Sequence, residues 1–317
     1  MDRSRLDLDF VVVGPLRAGT TMLRLILDHH PAIACIGEFE EAVSTCGDSG
    51  WPDVNRYRAW LSQDRASLAK RFAVDEGISN YPDLVRSLWR QLADRTGKPI
   101  RGCTIHSRID RIREIWPGAK FIFLGRDPRD VARSCVGMGW VGEASHGARY
   151  WLDPVRRWCR LRDQLDPADF VEIRYEDLLR EPASVLDTCC RLLGERFDPA
   201  MLNFHETSTY EALDPALAEQ WRRKMSPRAA EIIDSSCLEL MPQFGYEPSV
   251  PTPRPAGWAE RARLGIENRV GRLRFRVRRY GLRRFLAWSL LKFLRVDHPW
   301  RVRLRLKLNE IDRAHLK

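Results

Sequence analysis

The chain has 317 residues, which is enough to bury a substantial core in one large α/β domain or in two smaller ones. Its composition is that of an ordinary globular protein, 44% hydrophobic and 30% charged. Because it shows neither an apolar leader nor an apolar run of about 18 residues, secreted and membrane-spanning classes are not expected. The net charge of +10 is uneven: residues 254–317 carry 19 Lys and Arg against 5 Asp and Glu, so the rest of the chain is mildly acidic.

The cysteines indicate the compartment. There are eight, none in CxxC spacing, and Cys189 and Cys190 are adjacent. Several fall in apolar, periodic segments, where thiols usually act as small buried hydrophobic groups. This usage predicts reduced thiols and a cytoplasmic protein.

The N-terminal third opens with a strand, a loop and a helix. Asp9–Val13 is an almost continuous apolar run that ends at Gly14, as expected of a central parallel strand. Helical spacing of apolar residues follows over Thr21–Asp28 and stops before a proline. Between residues 36 and 80 the pattern is weak, which predicts a partly helical insertion, and Pro82 then opens an amphipathic helix.

Two further strand–helix units follow in the chain. Lys120–Leu124 (KFIFL) predicts a buried strand, after which Asp127 is placed to cap a helix that begins at Pro128. Phe170–Ile173 predicts a third strand, followed by a helix that runs through Leu193. Strands that alternate with helices favour an α/β fold with a doubly wound, mainly parallel sheet.

A proline-rich linker divides the chain. Prolines 248, 251, 253 and 255 separate a domain over residues 1–250 from a basic C-terminal extension over residues 251–317. Within the extension, basic and apolar residues alternate with period two over Arg272–Arg278 and over Trp300–Leu308. Between these stretches, Phe285–Leu294 is compact and apolar. Both strand and helix are compatible with these three stretches.

The stretch Val11–Leu23 (VVVGPLRAGTTML) has the order of a phosphate-binding loop: a buried strand, a glycine-bounded loop and the start of a helix. The N–H groups and the dipole at a helix N-terminus bind anions, and the hydroxyls of Thr20 and Thr21 add donors. Nucleotide triphosphatases require Lys where this chain has Thr20, so the loop is poorly made for a triphosphate. It suits a single phosphate, with Arg17 projecting towards a group attached beyond it, which describes an activated sulfate.

A second anion site is predicted after the strand near residue 124. Arg126 leaves the end of that strand, and Ser134 follows eight residues later on the next helix. A guanidinium fork with a hydroxyl is a good clamp for a terminal phosphate monoester. Phosphate sites at two adjacent strand ends point to a nucleotide phosphorylated on its 5′ and 3′ sides, 3′-phosphoadenosine-5′-phosphosulfate (PAPS). Because fixed donors would hold a monophosphate leaving group, no metal is expected.

Motifs in chain order over about residues 8–248 resemble those of the PAPS-dependent sulfotransferases. Gly14–Leu23 resembles the 5′-phosphosulfate loop of that family, and Phe121–Ser134 resembles its 3′-phosphate motif. The later landmarks are Arg174–Leu178 (RYEDL), Trp221–Lys224 (WRRK) and Phe244–Tyr246. Residues 22–38 are similar to the tyrosylprotein branch of the family. The phosphosulfate loop of that branch, and of many bacterial members, carries Arg at the position of Arg17. The resemblance implies a P-loop-like fold.

The resemblance also implies roles for individual residues. The 5′-phosphosulfate would be surrounded by six consecutive residues: Arg17, Ala18, Gly19, Thr20, Thr21 and Met22. Arg17 would also stabilise the transition state of in-line sulfuryl transfer. Arg126 and Ser134 would bind the 3′-phosphate, Tyr175 would approach the adenine, and Lys224 would approach the phosphates.

Two residues compete for the role of catalytic base. Glu38 matches the Gly-Glu position of the tyrosylprotein branch, and local similarity favours it, although an extra residue blurs its register with Glu40. His106 lies where the cytosolic enzymes carry Lys-Thr-His, and imidazole has the better intrinsic basicity for this work.

The Lys of that cytosolic motif is missing from this chain. Cys103 stands near its place, and only Arg101 or Arg108 could substitute for it. This departure concerns assistance on the acceptor side of the site.

The predicted function is transfer of the sulfuryl group of PAPS to a hydroxyl acceptor, with a small molecule or a glycan favoured. The alternatives are a protein-tyrosine sulfotransferase, a P-loop-type kinase, and a binding module built on the basic tail of an inactive scaffold. The cations of the tail suit an anionic surface or a partner chain. A homodimer is also compatible with the sequence.

Overall fold

The structure is a computed structural model that describes residues 7–293 together with residues 304, 307, 308 and 311. The chain forms two compact units. The first contains residues 1–127 and 150–220, and the second contains residues 128–149 and 221–317. The predicted division at residue 250 into a domain and an extension stays a prediction. The predicted alternation over Trp300–Leu308 lies outside the described residues, apart from residues 304, 307 and 308.

Within the described residues, the first unit holds a parallel sheet of five strands in the spatial order β2-β3-β1-β4-β5. The strands are β1 (Phe10–Val13), β2 (Ile33–Glu38), β3 (Ile100–Thr104), β4 (Lys120–Gly125) and β5 (Phe170–Arg174). All four residues of β1 are buried, as expected of an apolar strand with a neighbour on each side. The predicted α/β fold with a mainly parallel sheet is confirmed.

Helices connect the strands and continue beyond them. In chain order they are α1 (Thr20–Asp28), α2 (Val54–Leu61), α3 (Arg65–Lys70), α4 (Tyr81–Ala93), α5 (Ile112–Ile115), α6 (Pro128–Gly137), α7 (Arg149–Arg162), α8 (Tyr175–Arg180), α9 (Pro182–Leu192), α10 (Trp221–Lys224), α11 (Pro227–Cys237), α12 (Trp258–Tyr280) and α13 (Leu282–Phe293). Short 3₁₀ turns lie at Glu40–Ala42, Ile109–Arg111, Ala144–Gly147, Pro167–Asp169, Pro199–Glu206, Pro215–Leu217 and Met241–Phe244.

The helix predicted at Pro82 is α4, and its start has a local cause. The side chain of Asn80 accepts a hydrogen bond from the N–H of Asp83 at 2.9 Å, which satisfies one of the free donors of the first turn. Pro82 occupies that turn, where its missing N–H costs nothing. The predicted apolar face, with Leu84 and Leu88, is fully buried.

Two strands were not predicted, β2 and β3. Both are short and interrupted by small or polar residues, so neither shows a clear apolar period. Gly102 in β3 has a packing reason: a Cβ there would lie 2.4 Å from the ring of Phe10 on β1. The weak pattern over residues 36–80 predicts a partly helical insertion, and α2 and α3 confirm this in part.

The helix predicted to run through Leu193 is divided. α8 ends at Arg180 and α9 begins at Pro182, because a proline cannot continue the hydrogen bonding of the preceding turn. In the tail, Arg272–Arg278 lies inside α12 and the apolar stretch from Phe285 lies in α13, so both are helical.

The cysteines are free, as predicted from their spacing, and Cys159 alone is partly exposed. Burial raises the pKa of the Cys189 thiol, with its neighbour Cys190 adding to the rise. These thiols therefore serve as apolar filling of the core.

Candidate functional site

The candidate site lies at the carboxyl edge of the sheet, where the ends of parallel strands meet. Gly14 directly follows β1, His106 is the second residue after β3, and Arg126 directly follows β4. Glu38 is the last residue of β2, and Tyr175 directly follows β5. Predicted site residues from five separate segments of the first unit are thus brought to one edge.

The loop after β1 has the backbone of a tight anion-binding turn. Gly14 adopts φ 156°, and a Cβ there would lie 2.4 Å from the main-chain oxygen of Leu124. Gly19 adopts φ 102° and is the N-cap of α1, where it supplies no capping side chain. The first turn of α1 also lacks an acidic residue. The N–H groups at this helix start therefore face no negative side chain of their own turn.

Arg17 adopts the left-handed backbone conformation, with φ 72°. This conformation costs a residue with a Cβ roughly 1–2 kcal/mol, so the turn holds Arg17 there against its own preference. Next to it, the side chains of Ala18 and Met22 are buried, and so is Thr20. Met22 can therefore offer an anion only its main-chain N–H group, and the N–H of Ala18 donates instead to the main-chain oxygen of Pro15 at 3.0 Å.

Arg126 connects this loop with the end of β5. Its Nη1 donates a hydrogen bond to the main-chain oxygen of Arg17 at 3.0 Å. Its guanidinium lies over the ring of Tyr175, 4.2 Å from the centroid, a cation–π geometry. Among the described residues, no hydrogen-bond acceptor pairs with the buried Nε of Arg126. This donor is therefore available to an anion.

Neighbouring side chains hold the turn that carries Arg126. The indole Nε1 of Trp151 donates to the main-chain oxygen of Arg126 at 2.8 Å. The fully buried carboxylate of Glu176 accepts a hydrogen bond from the N–H of Asp127 at 3.0 Å. The position of Arg126 is therefore set by α7 and α8 as well as by β4. Trp151 and Glu176 were not predicted to support the site, although Glu176 lies within the RYEDL motif.

Tyr175 packs against the phosphate loop itself. A Cβ at Gly19 would lie 2.6 Å from the ring of Tyr175, so only glycine fits between this ring and the start of α1. The tyrosine is 6% exposed. Its ring thus contacts the loop on one side and Arg126 on another.

His106 faces the opposite side of the loop. Its Nδ1 lies 3.2 Å from the main-chain oxygen of Gly14. Since a carbonyl only accepts, Nδ1 carries the proton in this contact and Nε2 is left with the lone pair. Nε2 lies 3.9 Å from Oε1 of Glu38, and the exposed fractions are 8% for the imidazole side chain and 62% for the carboxylate side chain.

Glu40 clamps the segment that carries His106. Its carboxylate accepts hydrogen bonds from the N–H of His106 and from the hydroxyl of Ser107. Glu38 is held through its main chain, because Lys70 Nζ donates to the oxygen of Glu38 at 2.7 Å. Glu40 is the residue that competes with Glu38 for the Gly-Glu position of the motif. In this geometry it positions the segment that carries His106.

The candidate substitutes for the missing lysine lie at different ends of β3. Arg101 is the second residue of the strand, away from the carboxyl edge. Arg108 follows His106 closely and forms an ion pair with Asp48. Cys103 is fully buried in the strand, and burial raises its pKa. Of the three, Arg108 alone lies on the loop side of the strand.

The remaining predicted residues belong to the second unit. Ser134 lies in the second turn of α6, and Lys224 is the exposed last residue of α10. Their predicted contacts with the nucleotide stay predictions.

No metal centre emerges from the described residues, where no group of three or more His, Cys, Asp or Glu side chains is placed to hold an ion. In the same part of the chain, no helix combines the length and the apolar character needed to cross a bilayer.

A comparison with protein families identifies the chain. The model of the family described as "Sulfotransferase family" matches residues 9–199, which include the phosphate loop, Arg126 and Tyr175. The curated relatives include two proteins named as sulfotransferases and one named as a nodulation protein. The omega-hydroxy-beta-dihydromenaquinone-9 sulfotransferase Stf3 of Mycobacterium bovis is 26% identical over 47% of this chain and 42% of that protein. Nodulation protein H of Rhizobium tropici is 25% identical over 58% of this chain and 75% of that protein. Protein-tyrosine sulfotransferase 1 of Danio rerio is 23% identical over 63% of this chain and 57% of that protein. The matched stretch thus spans less than two thirds of the mycobacterial and zebrafish proteins.

Solved structures agree on the fold. The sulfotransferase domain from the curacin biosynthetic pathway superposes with a TM-score of 0.58 at 19% identity, over 77% of this chain and 99% of that one. The sulfotransferase domain from the Synechococcus PCC 7002 olefin synthase gives 0.55 at 24% identity, over 76% and 95%. The match to the family model, which covers more than half of the residues, confirms the family and the activity class predicted from the motifs. The chain belongs to the sulfotransferase family.

Proposed function

We propose that this protein moves the sulfuryl group of PAPS to a hydroxyl acceptor by in-line transfer. The observation that carries the proposal is the contact of Arg126 with both Arg17 and Tyr175. It joins two candidate anion positions, at the ends of β1 and β4, within the reach of a single nucleotide. A nucleotide with phosphate groups on both its 5′ and 3′ sides fits two such positions.

The 5′-phosphosulfate is proposed to bind at the start of α1. The main-chain N–H groups of residues 19–22 and the hydroxyls of Thr20 and Thr21 would supply its donors, while the N–H of Ala18 is held by the main-chain oxygen of Pro15. Gly14 and Gly19 allow the backbone to approach closely, because a side chain at either position would clash with Leu124 or Tyr175. Donors fixed in this way can stabilise the negative charge of a monophosphate, so the proposal includes no metal.

The 3′-phosphate is proposed to bind Arg126, whose buried Nε lacks an acceptor among the described residues. Ser134 on α6 and Lys224 on α10 are proposed to add a hydroxyl and a cation. Tyr175, held by Arg126 and Gly19, is proposed to approach the adenine. The orphan donor supports a phosphate at Arg126.

Arg17 is proposed as the residue that stabilises the transition state. When the acceptor oxygen attacks sulfur, the bond from sulfur to the bridging oxygen breaks and negative charge develops on that oxygen. A guanidinium placed there lowers the barrier, and removing one such donor typically costs about 3–4 kcal/mol. The strained backbone of Arg17 is consistent with a residue held for function.

His106 is proposed as the base that takes the acceptor proton on Nε2. The hydrogen bond from Nδ1 to Gly14 orients the ring and leaves the lone pair of Nε2 directed away from the loop. Glu38, 3.9 Å from Nε2, is proposed to stabilise the imidazolium that results. Glu38 as the base itself is the alternative, which local sequence similarity favours.

The acceptor is proposed to be a small molecule or a glycan. A cavity of about 490 Å³ in the first unit lies beside α3 and is lined by Leu61, Leu68, Phe72 and Val74 among others. This volume suits a small organic molecule. The same helix carries Lys70, whose Nζ donates to the main-chain oxygen of Glu38 at 2.7 Å. A protein tyrosine is the second candidate, because the relatives include a protein-tyrosine sulfotransferase.

The cytoplasm is proposed as the compartment, because the cysteines are free and mostly buried. The homodimer considered from the sequence stays a prediction.

A thermal-shift comparison of adenosine 3′,5′-bisphosphate, ATP and NAD tests the donor. Strong stabilisation by the bisphosphate alone is expected, since a ligand that binds only the folded state raises the melting temperature. Equal or greater stabilisation by ATP with Mg²⁺ would favour the kinase alternative and overturn the proposal.

A further inference from the structure

The helix α12 carries two opposite apolar faces, and one of them is occupied within the second unit. Asn268 accepts a hydrogen bond at Oδ1 from the N–H of Gly142 at 2.7 Å. Three residues on, Gly271 packs so tightly that a Cβ would lie 2.3 Å from the oxygen of Gly142. Leu264 and Phe275 lie on the same face at helical spacing, and Leu264 is buried. This face anchors α12 to the unit.

The opposite face of α12 is exposed. Ile266, Val270 and Leu273 are spaced by four and three residues, and their exposed fractions are 62%, 37% and 48%. Since each lies about half a turn from the anchored face, they form one outward row.

The next helix repeats the pattern. On α13, the leucines at 282, 286 and 290 are spaced by four residues, and each is more than half exposed. The two rows together supply six exposed apolar residues, named here the apolar stripe: Ile266, Val270, Leu273, Leu282, Leu286 and Leu290. Monomeric proteins rarely leave such a stripe in water unless it meets a partner or a membrane.

Positive charge flanks the stripe. Helical geometry places Arg269 and Arg276 on one side of the outward row and Arg263 and Arg274 on the other. Over residues 258–293 there are eleven Arg and Lys against two Glu. Both glutamates form ion pairs, Glu260 with Arg228 at 2.6 Å and Glu267 with Arg263 at 3.6 Å. The surface around the stripe is therefore strongly cationic.

We propose that α12 and α13 dock this protein on an anionic phospholipid surface. An apolar row bordered by arginines is the pattern of a helix that lies in the headgroup plane, with its apolar side chains in the acyl boundary and its cations at the phosphates.

Two other occupants fit the surface less well. A nucleic acid would use the arginines but would leave six aliphatic side chains without a partner, since nucleic-acid grooves pair cations with aromatic stacking residues. A second copy of the same surface would bring two strongly cationic helices together, which like charge opposes.

The test is flotation of the full chain with vesicles of pure phosphatidylcholine and of equal parts phosphatidylcholine and phosphatidylglycerol. The proposal expects at least about tenfold stronger partitioning to the anionic vesicles, and a decrease on adding salt. It also expects that Leu286→Ser with Leu290→Ser reduces partitioning to anionic vesicles at least about tenfold. The matched control is Leu217→Ser with Leu238→Ser, which changes two exposed leucines outside the stripe and outside the proposed acceptor cavity and should leave partitioning unchanged.

Circular dichroism checks that both double variants keep the fold, which is expected because all four leucines are exposed. Equal partitioning to the two vesicle types overturns the proposal, and so does wild-type partitioning by the stripe variant. A labelled single-stranded RNA followed by fluorescence anisotropy, and light scattering for oligomeric state, complete the test. Tight RNA binding without vesicle binding overturns the proposal in favour of a nucleic acid. A dimer that the stripe variant disrupts, again without vesicle binding, overturns it in favour of a second copy of this chain.

Discussion

Arg126 donates a hydrogen bond from Nη1 to the main-chain oxygen of Arg17 at 3.0 Å, across 109 positions of sequence. The two residues come from separate motifs, one after β1 and one after β4. Through this contact the guanidinium braces the phosphate loop, while its buried Nε has no hydrogen-bond acceptor among the described residues. The predictions below follow from this arrangement and from the contacts around it.

Replacing Arg17 by Ala should separate catalysis from binding. We expect the turnover number for sulfate transfer to fall about 10²–10³-fold, because a donor to the charge that develops on the bridging oxygen is lost. The Kd for adenosine 3′,5′-bisphosphate, measured by calorimetry, should change less than about tenfold, since the loop N–H groups remain. Arg24→Ala, on the helix α1 that follows the loop, is the control and should retain activity. Full activity of Arg17→Ala would contradict the proposed role.

Replacing Arg126 by Ala should weaken one nucleotide selectively. A charge-assisted hydrogen bond contributes about 1.5–3 kcal/mol, so the Kd for adenosine 3′,5′-bisphosphate should rise roughly 10–150-fold. The Kd for adenosine 5′-monophosphate should change far less, because it has no 3′-phosphate. Calorimetry with both nucleotides measures the difference. A similar loss for both would show that Arg126 acts only by bracing the loop.

Gly19→Ala should damage the loop through sterics. The added Cβ would lie 2.6 Å from the ring of Tyr175, and the backbone at φ 102° disfavours any side chain. We expect a loss of about 1–3 kcal/mol in the free energy of unfolding, measured by urea denaturation, together with weaker nucleotide binding. Gly118→Ala is the matched control, because a Cβ there meets nothing within 4 Å. Equal stability of the two variants would mean that Tyr175 is not fixed against the loop.

The choice between the two candidate bases can be made by isosteric changes. His106→Gln should lower the turnover number about 10²–10⁴-fold, the usual contribution of a positioned base, with nucleotide affinity preserved. Glu38→Gln should cost less than about tenfold, because this carboxylate is proposed to stabilise the imidazolium from 3.9 Å on the exposed side. Steady-state rates and nucleotide titrations of both variants check this. The reverse order of effects would make Glu38 the base.

The buried thiols should make stability fall at alkaline pH. Burial raises the pKa of Cys35 to about 12 and that of Cys190 to about 11, from 9.0 in an unfolded chain. Below about pH 9 both thiols are protonated in the folded and unfolded states, so their contribution to stability is complete. As pH rises from 9 towards 12 the unfolded chain loses these protons first, and this contribution is lost.

Urea denaturation at a series of pH values measures the effect, and iodoacetamide provides an independent check. The folded protein should be alkylated slowly, at the partly exposed Cys159 first, whereas the unfolded chain should react at all eight cysteines. Equal rates for the folded and the unfolded protein would contradict the burial of the thiols.

Sequence patterns were sufficient for some strands and insufficient for others. β1 and β4 are apolar runs flanked by turn residues, and this pattern alone predicts a central strand. β3 contains Arg101 and Gly102, and it is a strand because its hydrogen bonds are satisfied by β1 and β2 on either side. Pairing with distant segments leaves no hydrophobic period in a strand as short as β3, so this strand could not be predicted from its own residues.

The site divides in the same way. The glycines at 14 and 19, the hydroxyls of the loop and the helix start are neighbours in the chain, so the sequence alone determined that an anion-binding turn forms there. Only the tertiary structure decided that His106 lies on one side of this turn and that Arg126 with Tyr175 lies on the other. The physical reason is the strand order: hydrogen bonding places β3 and β4 on opposite sides of β1, and no pattern within any one segment encodes which strand becomes its neighbour.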